Sequence, residues 1–171
     1  MVEKAHYTLL KKIEDIEIRE YPELILATVK NNDDDSAFGL LFNYISGENV
    51  KEEKIKMTAP VITSEKIPMT APVITKKNYM AFVMPSNYTK ESIPTPTNSK
   101  VNIEIEKNRK IATLRFSGYT TQKNISKKIE KLLEGVKINK LKTIGEPFLM
   151  RYNSPFAPGF LRRNEVGIQI I

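Results

Sequence analysis

The alternation of apolar and polar residues near the start of the chain predicts β strands. Ile16 and Ile18 alternate with Glu17 and Arg19, which is the period of two expected of a half-buried strand. With turn residues as boundaries, the same reasoning predicts strands over 7–13, 15–21, 24–30, 79–85, 103–105, 111–114, 146–152 and 165–171.

A helix is predicted over Ser36–Ser46, and Gly47 follows as its stop. Its apolar positions form two adjoining stripes, namely Phe38, Leu41, Phe42 and Ile45, and Ala37, Leu40 and Tyr44. A helix that is apolar over so much of its circumference is either buried on both sides or lies beside an open apolar cleft. The pattern alone does not choose between these two.

A second helix is predicted over Thr121–Glu134, with Gly135 as its stop. Its apolar stripe has the ordinary narrow width and consists of Ile125, Ile129, Leu132 and Leu133. Lysines occupy the remaining faces. This asymmetry between the helices suggests that the first one carries an additional apolar surface.

The order of elements predicts an α+β fold with a mostly antiparallel sheet, or a distorted open barrel, and two helices. Residues 7–85 and 101–171 each read strand, strand, helix, strand, which predicts approximate internal two-fold symmetry within a single domain of residues 1–171. The proline-rich stretch 86–100 is expected to be a surface loop between the halves.

One stretch of sequence occurs twice. Met57–Thr63 reads Met-Thr-Ala-Pro-Val-Ile-Thr and returns as Met69–Thr75, a period of 12 residues. Each copy is β-branched with one proline, which is typical of an edge or bulged strand. The copies could pair as a hairpin, or one could occupy the sheet while the other loops out. Because 12 is even, both copies could fit one sheet position with the same faces buried.

Composition excludes several kinds of chemistry. The 171 residues contain no cysteine and one histidine, His6, so thiolate chemistry, disulfides and a paired-histidine metal site within the chain are excluded. No apolar run is long enough to span a membrane, and the N-terminus lacks a signal-peptide core, so a cytoplasmic location is expected. The net charge of +7 permits a nucleic-acid surface, but a solvated lysine face is the simpler interpretation.

Several motifs, in this order along nearly the whole chain, resemble the SOUL / haem-binding protein family. The matching stretches are 16–21, 38–49, 56–61, 84–85, 116–118, 151–155 and 162–166. The most distinctive are Met57-Thr58-Ala59-Pro60-Val61 and Arg162-Arg163-Asn164-Glu165-Val166. The resemblance implies a pseudo-symmetric α/β barrel, similar to gyrase-inhibitor-like effector-binding domains. It also implies that haem or another tetrapyrrole binds in a shallow apolar cleft.

The resemblance places that cleft between the first helix, at Phe38, Leu41 and Phe42, and a late loop, 153–163. A tetrapyrrole is a flat apolar disc with carboxylates on one edge, so it needs an apolar slot with cations at the rim. The residues that suit these two roles in and around the late loop are Phe156 and Phe160 for the ring face, and Arg151, Arg162 and Arg163 for the rim. Two alternatives remain open: the loop folds back on the core, or an arginine pairs with Glu165.

An axial iron ligand is not obvious. The possible donors are His6, Met57, Met69, Tyr44 and Tyr152, and none has local sequence support. We therefore expect weak or absent ligation, with no dedicated metal site. The sequence also lacks a glycine-rich phosphate loop and a nucleophile elbow, so no catalytic residue is predicted.

The first functional hypothesis is therefore non-enzymatic binding of haem, porphyrin or a similar flat amphipathic molecule. The alternative is a protein-interaction or regulatory module that uses the same cleft. Nucleic-acid binding by the lysine-rich second helix ranks last, because that helix has no aromatic residue for base stacking.

Overall fold

The computed structural model describes residues 2–53 and 61–171. In that part of the chain the strands are β1 Glu3–Lys4, β2 Thr8–Ile13, β3 Ile16–Tyr21, β4 Leu24–Val29, β5 Asn49–Glu53, β6 Val61–Thr63, β7 Thr70–Ala71, β8 Val73–Lys76, β9 Tyr79–Val83, β10 Thr95–Pro96, β11 Val101–Glu106, β12 Arg109–Phe116, β13 Thr143–Arg151 and β14 Asn164–Ile170. The helices are α1 Asp34–Ser46, α2 Gln122–Ile138 and a 3-10 turn, Gly159–Leu161.

Nine strands form one antiparallel sheet in the order β11-β4-β9-β8-β13-β14-β12-β3-β2. The outermost strands, β11 and β2, are not paired with each other, so the sheet is open and not a closed barrel. The prediction of an α+β fold with a mostly antiparallel sheet and two helices is confirmed, and the alternative of an open sheet is the correct one.

Both helices pack on the same face of this sheet. Met80, beneath α1, is in register with Thr75, and Thr75 is in register with Leu149, beneath α2. Residues paired across strands project to the same side, so the apolar clusters beneath α1 and α2 share a face. A third cluster, which includes Tyr21 and Phe148, covers the opposite face.

The two helices cover the two flanks of that shared face. Helix α1 packs on β4, β9 and β11, whereas α2 packs on β12 and β14. Strands β8 and β13 lie between these groups in the strand order. The middle of the sheet is therefore left without a helix above it, and this gap positions the site described below.

Helix α1 ends at Ser46 as predicted, but it begins at Asp34, two residues before the predicted Ser36. The side chain of Asp33 caps it by accepting a hydrogen bond from the backbone N–H of Ser36 at 3.2 Å. Gly47 ends it with a φ of 128°, a conformation that favours glycine. Its buried residues are Ala37, Leu41, Tyr44 and Ile45.

Helix α2 does not end where the sequence predicts. It begins at Gln122 after Thr121, whose hydroxyl caps it, but it runs through Gly135 to Ile138. Gly135 has a packing role, because a Cβ built there would lie 2.3 Å from Cδ1 of Ile16. The absence of a side chain at Gly135 leaves room for the side chain of Ile16 from β3, and the prediction that Gly135 stops the helix is wrong.

The two copies of the duplicated stretch have different environments. In the second copy, β8 lies inside the large sheet between β9 and β13. In the first copy, Val61–Thr63 pairs with β5 in a separate small sheet that also contains β10, while Met57–Pro60 lies outside the described residues. Ile62 is 66% exposed, whereas its counterpart Ile74 is 6% exposed. Thus one copy occupies the sheet, and the described part of the other lies outside it.

Among the described residues, no helix has both the length and the apolarity required to cross a membrane.

Candidate functional site

An open cleft of about 510 Å³ lies over the gap between α1 and α2. Its floor is the uncovered part of the sheet: Val73 and Arg151 face each other across β8 and β13, and Asn164 faces Arg151 from β14. Ligand sites in proteins usually measure about 300–1,000 Å³. This cleft therefore has the size of a small-molecule site.

The cleft is lined by residues from the chain start, α1, the second copy of the duplicated stretch, the sheet and the late loop. They are Val2, Asp34, Asp35, Phe38, Phe42, Met69, Thr70, Ala71, Val73, Met80, Thr120, Arg151, Tyr152, Asn153, Ser154, Pro155, Phe156, Arg162 and Asn164. Most of the exposed lining is apolar.

Two phenylalanines of α1 form one wall. Phe38 and Phe42 are one helical turn apart, and their rings are nearly parallel, with centroids 6.1 Å apart and planes 15° apart. Phe38 is anchored by an edge-to-face contact with Phe82 at 5.3 Å. Phe42 is 49% exposed. Together they present an aromatic surface suited to a flat apolar molecule.

The late loop provides another wall through Phe156. This side chain lines the cleft and is 96% exposed, so its contact area is free for a ligand. Arg162 holds the loop in shape by donating hydrogen bonds to the backbone oxygens of Ala157, at 2.7 Å, and Pro155. The sequence alternative in which Phe156 folds back on the core does not occur.

Arg151 is the cation in the cleft floor. Its Nη2 donates to Oγ1 of Thr75 at 2.9 Å, and it has no ion pair with any described carboxylate. Burial lowers the pKa of Arg151, and the negative charges of Asp34 and Asp35 oppose that shift. The guanidinium remains charged at neutral pH because arginine side chains do not lose their proton in proteins. It can therefore bind an anionic group that enters the cleft.

The other two predicted rim cations are already engaged. Arg162 lines the cleft, but its guanidinium clamps the late loop and lies 5.0 Å from the ring centroid of Tyr119. Arg163 is not among the lining residues; its Nη2 donates to Oε1 of Glu165 at 2.7 Å. The pairing of Arg163 with Glu165 is thus the alternative that the structure contains.

Two of the predicted apolar site residues lie away from the cleft lining. Leu41 is on the sheet-facing side of α1 and is fully buried in the core. Phe160 lies in the 3-10 turn, is 78% exposed and does not line the cleft. The structure therefore brings together Phe38, Phe42, Phe156, Arg151 and Arg162.

The potential iron ligands are also separated. Met69 and Tyr152 line the cleft, whereas His6 does not. Tyr44 is buried and donates its hydroxyl to the backbone oxygen of Pro94 at 2.7 Å. Met57 lies outside the described residues.

Tyr152 is held as a neutral phenol. Burial and the charge of Glu165 raise its pKa, and its hydroxyl donates to Oε2 of Glu165 at 2.9 Å. A neutral, hydrogen-bonded phenol is a poor metal ligand. Among the described residues, no group of three histidine, cysteine, aspartate or glutamate side chains is placed to hold a metal ion.

Sequence reasoning missed the contributions of the chain start and of α1's first turn. Val2 reaches the cleft because β1 pairs in parallel with β7, where Glu3 is opposite Thr70. Such a short, distant pairing leaves no periodic signal. Acidic residues such as Asp34 and Asp35 are typical of a helix start, but their position at the cleft depends on the orientation of α1.

A second, charged hollow of about 400 Å³ lies between α2 and β3. Its lining includes Lys12, Lys128 and Lys131, and also Asp15 and Glu17. Lys131 pairs with Asp15 at 2.8 Å. The mixture of charges is that of a solvated surface and not of a uniformly basic groove.

This architecture defines a class: α+β proteins with two helices on one face of an open antiparallel sheet and a mostly apolar cleft between them. The sequence gives the family. A family model described as SOUL heme-binding protein matches residues 2–169, so the chain belongs to the SOUL family. No curated protein sequence matches the chain.

Solved structures with the same fold are distant in sequence. The C-terminal domain of EcmrR is 12% identical, covers 96% of this chain and 98% of that chain, and has a TM-score of 0.55. A structure described as a hydrolase from Listeria innocua is 12% identical, covers 94% of both chains and has a TM-score of 0.58. EcmrR in complex with DNA, also 12% identical, covers 91% of this chain and 56% of that chain, with a TM-score of 0.58. At this identity the likeness shows the fold alone.

Proposed function

We propose that the cleft binds haem, porphyrin or a similar flat amphipathic molecule, and that the protein does so without catalysing a reaction. The single observation that carries this proposal is an open, mostly apolar cleft with an arginine in its floor that has no ion pair among the described residues. Membership of a family described as heme-binding supports it.

The ring system would lie against the aromatic wall of Phe38 and Phe42, with Phe156 from the late loop as its other contact. Burying a phenylalanine side chain fully contributes about 1.5–3 kcal/mol. Phe42 still has about half of its surface to bury, so this residue alone would contribute about 1 kcal/mol. A carboxylate on the ring edge would meet Arg151, which forms no ion pair with any described carboxylate.

Iron would be weakly ligated or not ligated by the protein. Two lining residues carry soft thioether donors, Met69 and Met80, but Met80 is buried in the core beneath α1. Tyr152 is neutral and bonded to Glu165. If haem binds, Met69 would be the side chain to hold its iron, and the iron would supply redox or ligand-binding chemistry. The ring contacts and Arg151 would provide most of the affinity in either case.

Titration with haemin and with metal-free protoporphyrin IX tests the proposal. Both are expected to bind saturably, with similar affinity, and Phe42→Asp should weaken both by about tenfold. Ile138→Ser is the matched control, because Ile138 is 70% exposed on α2 and does not line the cleft. Absence of saturable binding of either compound would exclude the proposal.

A protein-interaction role is the second candidate, and the exposed apolar side chains of the late loop favour it. Phe160 and Leu161 are 78% and 63% exposed and lie outside the cleft lining. A protein partner bound there would be lost on Phe160→Ser without any change in porphyrin affinity. A partner that uses the cleft itself would instead compete with porphyrin. We further propose a cytoplasmic location.

A further inference from the structure

Thr70 has a buried hydroxyl without a partner. The residue is 2% exposed, and its Oγ1 has no hydrogen bond to any described residue. It lies in β7 and lines the cleft between Met69 and Ala71. A buried hydroxyl that forms no hydrogen bond is destabilising, since it has lost its water without gaining a replacement. The protein therefore keeps an unpaired hydroxyl within the cleft lining at a cost to its own stability.

Arg151 supplies charge in the same cleft. Val73, which is opposite Arg151 in the sheet register, follows Thr70 by three residues on the same segment. Arg151 has one hydrogen bond, to Thr75, and retains further N–H donors. The cleft thus contains a hydroxyl and a guanidinium that both have unused hydrogen-bonding capacity, set among apolar side chains.

We propose that Thr70 determines specificity in this cleft: its hydroxyl donates a hydrogen bond to an oxygen of a ligand carboxylate, and Arg151 balances the charge of that carboxylate. This inference rests on the proposed tetrapyrrole binding and adds to it that the protein selects the free acid over its ester. The iron takes no part in this selection.

The surrounding charges favour this orientation of the ligand. Asp34 and Asp35 line the cleft at the start of α1 and are exposed, so they disfavour an acidic group beside them. Arg151 attracts the acid, although the same two aspartates also act on Arg151 and weaken that attraction. A hydrogen bond to a charged oxygen is stronger than one between neutral groups, so loss of the Thr70 donor should weaken binding by about tenfold.

Thr70→Val is the informative substitution, because valine keeps the branched shape and removes the hydroxyl. Thr70→Ser keeps the hydroxyl and serves as the conservative control. Each variant and the wild type would be titrated with metal-free protoporphyrin IX and with its dimethyl ester. The unfolding of each ligand-free protein in urea would be measured in parallel.

The expected result is that Thr70→Val binds the free acid about tenfold more weakly, binds the ester as the wild type does, and is at least as stable without ligand. Thr70→Ser should bind the acid nearly as the wild type does. Equal effects on acid and ester, or no effect on either, would overturn the inference while leaving the proposed function intact. A clear loss of stability in ligand-free Thr70→Val would also overturn it, since the hydroxyl would then have a structural partner. Wild-type protein that binds neither compound would refute both the inference and the proposed function.

Discussion

Glu165 lies fully buried on the sheet face opposite the helices, and replacing it with glutamine tests how strongly one ionic network holds the sheet together. Its carboxylate accepts from Arg19 at 2.6 and 2.9 Å, from Arg163 at 2.7 and 3.0 Å, and from Tyr152 at 2.9 Å. Arg19 is itself 2% exposed. The pair thus joins β3 to β14 through charges that water barely reaches.

Glu165→Gln keeps the volume of the side chain but removes the charge and converts one acceptor oxygen into an N–H donor. That donor would point at guanidinium groups, which are donors themselves. Removal of one partner from a buried ion pair costs about 3–5 kcal/mol. Because a domain is stable by only about 5–15 kcal/mol, the substitution should lower the urea midpoint by a large fraction.

Glu17→Gln is the matched control. Glu17 also pairs with Arg19, at 2.6 Å, but its side chain is 28% exposed. Arg19 would keep Glu165 in that variant, and a partly exposed pair contributes only about 0–1 kcal/mol. Urea unfolding of the three proteins at pH 7 measures the contrast. If Glu165→Gln costs no more than Glu17→Gln, the buried pair does not stabilise the fold as argued.

The pH dependence of the unfolding free energy is a second test of the ionic network around Glu165. Burial alone would raise the pKa of Glu165, but the hydrogen bonds and charges of Arg19 and Arg163 outweigh it and hold the pKa below its ordinary value. A lowered carboxyl pKa contributes stability above the unfolded-state pKa of about 4.3, and this stability is lost as the pH falls through the folded-state pKa. The difference in unfolding free energy between the wild type and Glu165→Gln should therefore be largest at pH 7 and become smaller below about pH 4.

Three further predictions test the packing of α2, the duplicated stretch and the late loop. Gly135→Ala should change the urea unfolding free energy by less than about 1 kcal/mol, because the new Cβ meets the movable end of the Ile16 side chain. Overpacking at the low end of about 1–3 kcal/mol then nearly cancels a gain of about 1 kcal/mol in helix propensity, and a loss of about 3 kcal/mol would show that Ile16 cannot move aside. Deletion of residues 52–63 and deletion of residues 64–75 leave two chains that differ from each other at only two positions. Both variants should therefore unfold cooperatively in urea with similar midpoints. If only one of them folds, the two copies are not equivalent. Phe160→Ser should leave porphyrin affinity unchanged in the same titration, and a several-fold loss would place Phe160 in the site.

The fold class could be predicted from sequence because its signals are local. Alternation in Ile16–Tyr21 predicts a strand from neighbouring residues alone, and that strand forms, although Arg19 on its polar face is buried. The capping of α1 by Asp33 is equally local. The role of Gly135 is not local: its packing depends on Ile16, more than a hundred residues earlier. From sequence alone, a glycine that ends a helix cannot be distinguished from a glycine inside the helix that makes room for a neighbouring side chain. The proposed internal symmetry of the two halves remains a prediction.

The orientation of α1 shows where periodicity stops being informative. The sequence grouped Leu41 with Phe38 and Phe42, but the structure buries Leu41 with Tyr44 and leaves the two phenylalanines at the cleft. In an amphipathic helix, the polar residues mark the exposed side, so the opposite side can be identified as buried. A helix that is apolar nearly all round gives no such reference, so the division between core and cleft can be settled only by the sheet against which it packs.

The position of Arg151 follows from the same geometry and links the fold to the proposed site. Along β13, Leu149 and Arg151 project to the same face, yet Leu149 is buried beneath α2 while Arg151 lies in the cleft. A charged side chain on the apolar face of a sheet is costly where a helix covers it. The charge of Arg151 is tolerated because α2 covers Leu149 but does not extend over Arg151. The sequence Phe148-Leu149-Met150-Arg151 therefore carries a signal: a cation that interrupts an otherwise apolar strand marks the edge of the core, and in this fold that edge is the floor of the cleft.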